Sequence, residues 1–333
     1  MKNDPQIVDL PVTRKLRILF MGTPEFAVAS LDALIRDEQH VVAVVTGMDK
    51  PAGRGRKRRT SPVKDYALSQ QIPVLQPEKL KSHDFLAELQ DLQPDLIVVV
   101  AFRMLPEQVW KFPPMGTINL HASLLPQYRG AAPINRVLMN GETETGLTTF
   151  FIEKEIDTGK IILQETIPVD PDEDAGSLHD KMMHTGADLL VRTVRAIAAG
   201  NPPLIDQAAL VREQAELKTA PKIFTEDCRV NWDQETGVVY NHIRGLAPYP
   251  AAWTILRNQA GEEKILKIFA AEKEILPVNE KPGTLLADDK NALEVACRNG
   301  IIRLTRVQLE GKKKMDTAEF LRGLKDVSGL RVV

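Results

Sequence analysis

Asn119 and His121 stand two apart at the end of an apolar run, in the stretch TINLHASLLPQYRGAAPIN, residues 117–135. On a β-strand such a pair shares one face. A carboxamide carries both a donor and an acceptor. An imidazole gains and loses a proton near neutral pH. Together they have the means to polarise a carbonyl and to manage a proton. The SLLPQYRG that follows reads as a loop shaped by Pro126 and Gly130. Downstream, Asp157-Thr158-Gly159 forms a turn between two β-rich runs. A carboxylate there could orient an imidazole and stabilise its charged form. Each residue also has an ordinary explanation. A histidine at a strand end is commonly structural, and an Asp in such a turn commonly closes an Asx-turn.

The elements that must position these residues show in the hydropathy pattern. Apolar runs at 16–22, 40–47, 72–75, 95–102 and 117–121 alternate with amphipathic stretches such as 26–35 and 78–92. That alternation predicts βαβ units. Residues 131–141 read as a helix with Pro133 in its first turn. Residues 145–154 and 159–169 read as strands, and Ser177 with Asp180 as a capped helix start running to Gly200. The expectation is an α/β domain over 16–205, with a Rossmann-like, mostly parallel sheet and helices on both faces. Asn201-Pro202-Pro203 opens a looser connection, with 206–225 as the linker. Beyond it, apart from a helix near 234–246, short β-rich runs with turn signals predict a smaller β-barrel, OB-like, over 226–333. Residues 1–15 are polar, interrupted by Pro5 and Pro11, and read as an extension.

Composition narrows the class. A chain of 333 residues, 43% hydrophobic and 26% charged, fits two globular domains. No apolar run of about 18 residues suggests a membrane span. The two cysteines, Cys228 and Cys297, form no Cys-x-x-Cys pair. No metal site or disulfide framework is therefore expected, and a reduced, cytoplasmic setting fits. MGTPEF offers only Gly22 toward G-x-G-x-x-G, so no dinucleotide is expected. The formal net charge of -2 does not advertise nucleic acid, but residues 50–64 carry seven Lys/Arg and no acid. Pro51, Gly53, Gly55 and Pro62 argue against helix or strand there. The expectation is a basic loop suited to a polyanion, or else merely a solvated charged loop.

INLHASLLPQYRGAAPIN followed by DTGKII resembles the signature of the folate-dependent formyltransferases. FMGTPEFA, the basic PAGRG stretch, TAPKIFTEDCRVNWD and IRGLAPYPAAWT extend the resemblance over nearly the whole chain from about residue 16. They point to members acting on a charged tRNA. NGETETG, 140–146, is shared with sugar formyltransferases, which are not expected to carry the basic stretch. AFRMLPE, 101–107, is shorter than the matching segment of many relatives.

The resemblance implies transfer of a formyl group from 10-formyltetrahydrofolate to the amino group of methionyl-initiator-tRNA, without a metal. It implies a catalytic trio of Asn119, His121 and Asp157. It places Ser123, Leu124, Leu125 and Pro126 beside the folate, and Lys50, Arg54, Arg56 and Lys222 near the tRNA, which the C-terminal domain helps to hold. A sugar-nucleotide acceptor such as an aminoarabinose, or a non-catalytic RNA-binding protein, are the alternatives. No heptad pattern is visible, and a monomer is expected.

Overall fold

The computed structural model describes residues 15–52, 57–211, 216–288, 292–323 and 330–333. Arg54 and Arg56 lie outside the described residues. The chain divides into two compact units. One takes residues up to Arg129, with Gly146–Ile167 and Asp180–Lys218; the other takes Gly130–Thr145, Pro168–His179 and Thr219–Val333.

In chain order the first part runs β1 (Arg17–Gly22), α1 (Glu25–Arg36), β2 (His40–Val45), β3 (Lys50–Ala52), β4 (Lys57–Arg59), α2 (Pro62–Ser69), β5 (Val74–Leu75), α3 (His83–Leu92), β6 (Leu96–Val100), α4 (Glu107–Trp110) and β7 (Thr117–His121). There follow β8 (Arg129–Gly130), α5 (Pro133–Met139), β9 (Glu144–Phe151), β10 (Ile161–Pro168) and α6 (Ala175–Ala198). The main sheet has the order β10-β9-β7-β6-β1-β2-β5. It is parallel from β7 through to β5, and β9 joins β7 antiparallel. This is the mostly parallel α/β sheet expected.

Alternation along the strands separates the two faces. Leu19, Met21, Ile97 and Val99 form one core with Phe85 and Leu89 of α3 and Val109 of α4. The other face is covered by α1 and α6. The stripe Phe26, Ala27, Ser30, Leu31, Leu34 of α1 is buried at helical spacing. Asp37, just beyond α1, pairs with Arg195 of α6, and Thr149 of β9 hydrogen-bonds Thr193 of α6 at 2.8 Å.

The second unit contains β11 (Thr219–Ala220), α7 (Thr236–Leu246), β12 (Ala252–Arg257), β13 (Glu263–Ile275), β14 (Leu285–Asp288), β15 (Ala292–Cys297), β16 (Gly300–Leu309), β17 (Met315–Asp316), α8 (Thr317–Arg322) and β18 (Arg331–Val332). Its antiparallel, barrel-like sheet has the order β14-β15-β16-β13-β12-β18, with β17 on β16. Val239 and Ile243 of α7 and Phe320 of α8 share its core with Leu266, Ile268, Leu293 and Leu304. Helix α5 packs on α7 within the same unit.

Two local expectations are corrected. The basic stretch is not free of regular structure: β3 and β4 form a ladder pairing Lys50 with Arg59, Pro51 with Arg58 and Ala52 with Lys57. A two-stranded ladder has only edge strands, where a proline is tolerated. Helix α6 is capped at Asp174 rather than Ser177. The Asp174 carboxylate accepts from Ser177 N at 2.8 Å, and Ser177 Oγ accepts from Asp174 N at 3.1 Å, a reciprocal cap.

Candidate active site

Strand β7 sets the geometry. Asn119 pairs with Val99 on one side and Phe150 on the other, and His121 with Thr148. Asn119 and His121 therefore point to the face that carries Val99, while Ile118 and Leu120 point to the α6 face. The His121 ring meets Phe150 edge to face, centroids 6.5 Å apart. Phe150 is buried in turn with Leu125 and Ile161.

His121 is only 6% exposed and is held from both sides. Its Nε2 lies 2.9 Å from the Tyr128 carbonyl, which can only accept. That bond places a proton on Nε2 and leaves the Nδ1 lone pair as the ring's acceptor. Nδ1 lies 3.8 Å from Asp157 Oδ2, an ion-pair separation rather than a hydrogen-bond length. Protonation at Nδ1 would thus occur beside a carboxylate. Asn119 is half-buried, and its carboxamide makes no hydrogen bond among the described residues. Its amide donors are therefore available to a ligand.

Asp157 reaches this position through an unusual turn. Its φ is +56°, a left-handed conformation that Asp and Asn tolerate better than most residues. Two residues on, a Cβ at Gly159 would lie 1.7 Å from the Phe151 carbonyl oxygen, so only glycine fits.

The loop after β7 is braced by a residue that sequence reading missed. The buried Thr148 hydroxyl donates to the Ser123 carbonyl at 2.6 Å and accepts from Leu125 N at 3.1 Å. It also accepts from Gln164 Nε2 at 2.9 Å, while the same Gln164 amide donates to the Leu125 carbonyl at 2.9 Å. Ser123 is fully buried, and its hydroxyl donates to the Gln127 carbonyl at 2.7 Å. Leu125 and Pro126 are buried as well, and Leu124 is half-buried. A hydroxyl in a β-strand has no signature that separates such a bracket from an ordinary core threonine. Gln207, also missed, hydrogen-bonds the carbonyls of Asp157 and Gly159.

Near the segment 101–107, Leu80, Lys81, Arg103, Met104, Leu105 and Pro106 line an open depression of about 310 Å³. The basic stretch stands elsewhere in the same unit. Lys50 is exposed. Lys64 is drawn inward: its Nζ contacts both Asp49 oxygens at 2.7 and 2.9 Å and Gln76 Oε1 at 2.7 Å. Gln76 Nε2 donates in turn to the Gly47 carbonyl. One of the seven cations thus anchors the base of the hairpin. Lys222 belongs to the second unit, exposed, with its Nζ 5.3 Å from the Phe224 ring centre. Among the described residues no cluster of His, Cys, Asp and Glu could hold a metal ion, and no helix is long and apolar enough to cross a membrane.

Comparison with known proteins completes the picture. The formyl transferase family profile matches residues 14–194, and the formyl transferase C-terminal domain matches residues 222–325. A curated methionyl-tRNA formyltransferase of Bacteroides fragilis is 52% identical over 308 residues, covering 92% of this chain and 95% of the relative. One from Parabacteroides distasonis is 50% identical over 314 residues, covering 94% and 97%. Among solved structures, HypX from Aquifex aeolicus shares the fold with a TM-score of 0.63 at 22% identity over 94% of this chain. The chain spans about half of HypX, 49% of its length. The chain belongs to the formyl transferase family, in its methionyl-tRNA formyltransferase branch.

Proposed function

We propose that the chain transfers the formyl group of 10-formyltetrahydrofolate to the amino group of methionyl-initiator-tRNA, with Asn119, His121 and Asp157 as its chemical centre. The observation that carries this reading is the imidazole bracketed between the Tyr128 carbonyl and Asp157, on one strand face with an uncommitted carboxamide.

The acceptor amine attacks the formyl carbon, a C–N bond forms, and the bond to N10 of the donor breaks. The attacking nitrogen loses a proton and N10 gains one, so no net proton is consumed. The Asn119 amide donates to the oxyanion of the tetrahedral intermediate. His121 Nδ1 takes the proton from the attacking amine and returns it to the leaving nitrogen, directly or through water. Asp157 stabilises the imidazolium between those steps. The Thr148 bracket holds Ser123–Pro126 in a fixed course beside this strand end, which supports their place next to the folate.

Recognition of tRNA falls to cations of the basic stretch, Lys50, Arg54 and Arg56, and to Lys222 of the second unit. The C-terminal portion, 226–333, helps to hold the acceptor. The protein works as a cytoplasmic monomer. Formyl transfer to charged initiator tRNA, with a UDP-aminoarabinose competitor in parallel, tests the reading. Preference for the sugar, or transfer to neither, would overturn it.

A further inference from the structure

Gln207 opens a 3₁₀ turn, Gln207–Leu210, in the chain that leaves α6. It is 2% exposed. Its Nε2 donates to the carbonyls of Asp157 at 2.9 Å and Gly159 at 2.8 Å. Its Oε1 accepts from Arg129 Nε at 3.1 Å and Nη2 at 2.6 Å. Both amide hydrogens and both oxygen lone pairs are thereby used. The partners lie 50, 48 and 78 residues away in sequence.

The neighbouring contacts extend the pattern. Ile205 and Ile161 exchange backbone hydrogen bonds at 2.9 Å each, fixing the approach of this chain to β10. Further on, the Lys218 carbonyl accepts from Tyr128 N at 2.7 Å, and Lys218 N donates to Gln127 Oε1 at 2.8 Å. Tyr128 and Asp157 are the two residues that flank the His121 ring. The segment that reads as a linker therefore braces both of them, Asp157 through Gln207 and Tyr128 through Lys218.

We propose that Gln207 is a positioning residue for formyl transfer, whose carboxamide fixes the 157–159 turn so that the Asp157 carboxylate faces His121 Nδ1. The inference rests on the reading of Asn119, His121 and Asp157 as the chemical centre. Holding the turn by its carbonyls is effective because a left-handed residue is tolerated rather than enforced by an Asp. The Gln207 amide supplies the enforcement, and Arg129 holds the amide in the orientation that aims its hydrogens at the turn.

The test uses the full chain and steady-state kinetics with methionyl-tRNA and 10-formyltetrahydrofolate. Gln207→Ala should lower kcat about tenfold or more and leave both KM values within about twofold. Gln207→Glu, isosteric and able to keep Arg129, sets a carboxylate against two carbonyl oxygens and should lower kcat at least as far. The deciding measurement is the same pair of substitutions in an Asp157→Asn background. There the turn remains but no carboxylate is left to aim, so Gln207→Ala or Gln207→Glu should lower kcat by less than about twofold. A merely structural role would give the same factor in both backgrounds, and that result overturns the proposal. So does kcat within about twofold of wild type for Gln207→Glu in the otherwise native chain. Should Gln207→Ala fail to fold, the Gln207→Glu pair carries the decision. Failure of the wild-type chain to formylate methionyl-tRNA would overturn the functional reading and this inference with it. An active wild type with an unaffected Gln207 variant overturns this inference alone.

Discussion

The surroundings of His121 and the basic hairpin solve opposite problems within one unit. The imidazole is nearly buried, and its position depends on a carbonyl, a carboxylate, an aromatic edge and a braced turn. The hairpin is short, with exposed Lys50 and Arg59, and its base is clamped by Asp49, Lys64 and Gln76. Acid–base chemistry needs atoms held within fractions of an ångström, which calls for burial and many partners. Contact with a polyanion needs charge delivered to phosphates, which gains affinity from counterion release. The comparison teaches that the fold holds the His121 imidazole from several sides, whereas the basic stretch is anchored through the contacts of Asp49, Lys64 and Gln76 at the base of the ladder.

The strongest test of that contrast removes the proposed proton carrier. His121→Ala should lower kcat by about 10²–10⁴-fold while tRNA binding stays nearly unchanged. A single-turnover rate within about threefold of wild type would break the comparison on the chemical side. Asp157→Asn should come next. Asn tolerates the left-handed turn, so shape is kept and charge is lost. A rate loss of about tenfold or more with an altered pH–rate profile is expected; an unchanged rate and profile would reduce Asp157 to a turn residue.

On the hairpin side, Arg54→Ala and Lys50→Ala should raise KM for methionyl-tRNA and flatten its salt dependence, leaving KM for the folate donor unaltered. Equal kcat/KM for variant and wild type at two salt concentrations would show that the arm does not meet the tRNA. Lys64→Met sharpens the same point. It removes the half-buried partner of Asp49 at the root without touching an exposed cation. A rise in KM for tRNA of a few-fold, again with folate KM unchanged, would show that root rigidity matters to recognition; no change would confine the role to the exposed cations.

The smallest effect concerns stability in the second unit. Burial holds the half-buried His242 imidazole below its ordinary pKa, against a Cys228 backbone hydrogen bond that raises it. The unfolded chain takes up this proton near pH 6.5, the folded chain only at lower pH. Stability is therefore lost as pH falls below about 6.5 and levels off below the folded value. His242→Gln should shrink that slope in urea unfolding measured between pH 5 and 7.5, and an identical slope would assign the acid sensitivity elsewhere.

The amino-acid sequence by itself determined the parts whose logic is periodic or local. Two-residue spacing on an apolar strand puts Asn119 and His121 on one face whatever surrounds them. The alternation of apolar runs with amphipathic helices dictates a parallel sheet, and the Asp-Thr-Gly triplet dictates a turn between β9 and β10. Only the tertiary structure decided which groups close around the imidazole. Tyr128 contributes its backbone carbonyl, and Gln207 grips the carbonyls of Asp157 and Gly159. Every residue carries such a carbonyl, so side-chain identity says nothing of which one a distant amide will find. The same reason hid the clamp at the hairpin: read locally, Lys64 is one more cation in a basic run, and only the fold brings Asp49 and Gln76 to its ammonium. Residues 206–225 read as a linker because they lack periodicity. Periodicity reports burial of a face, whereas this chain is held by a few directed hydrogen bonds whose partners lie far away in sequence.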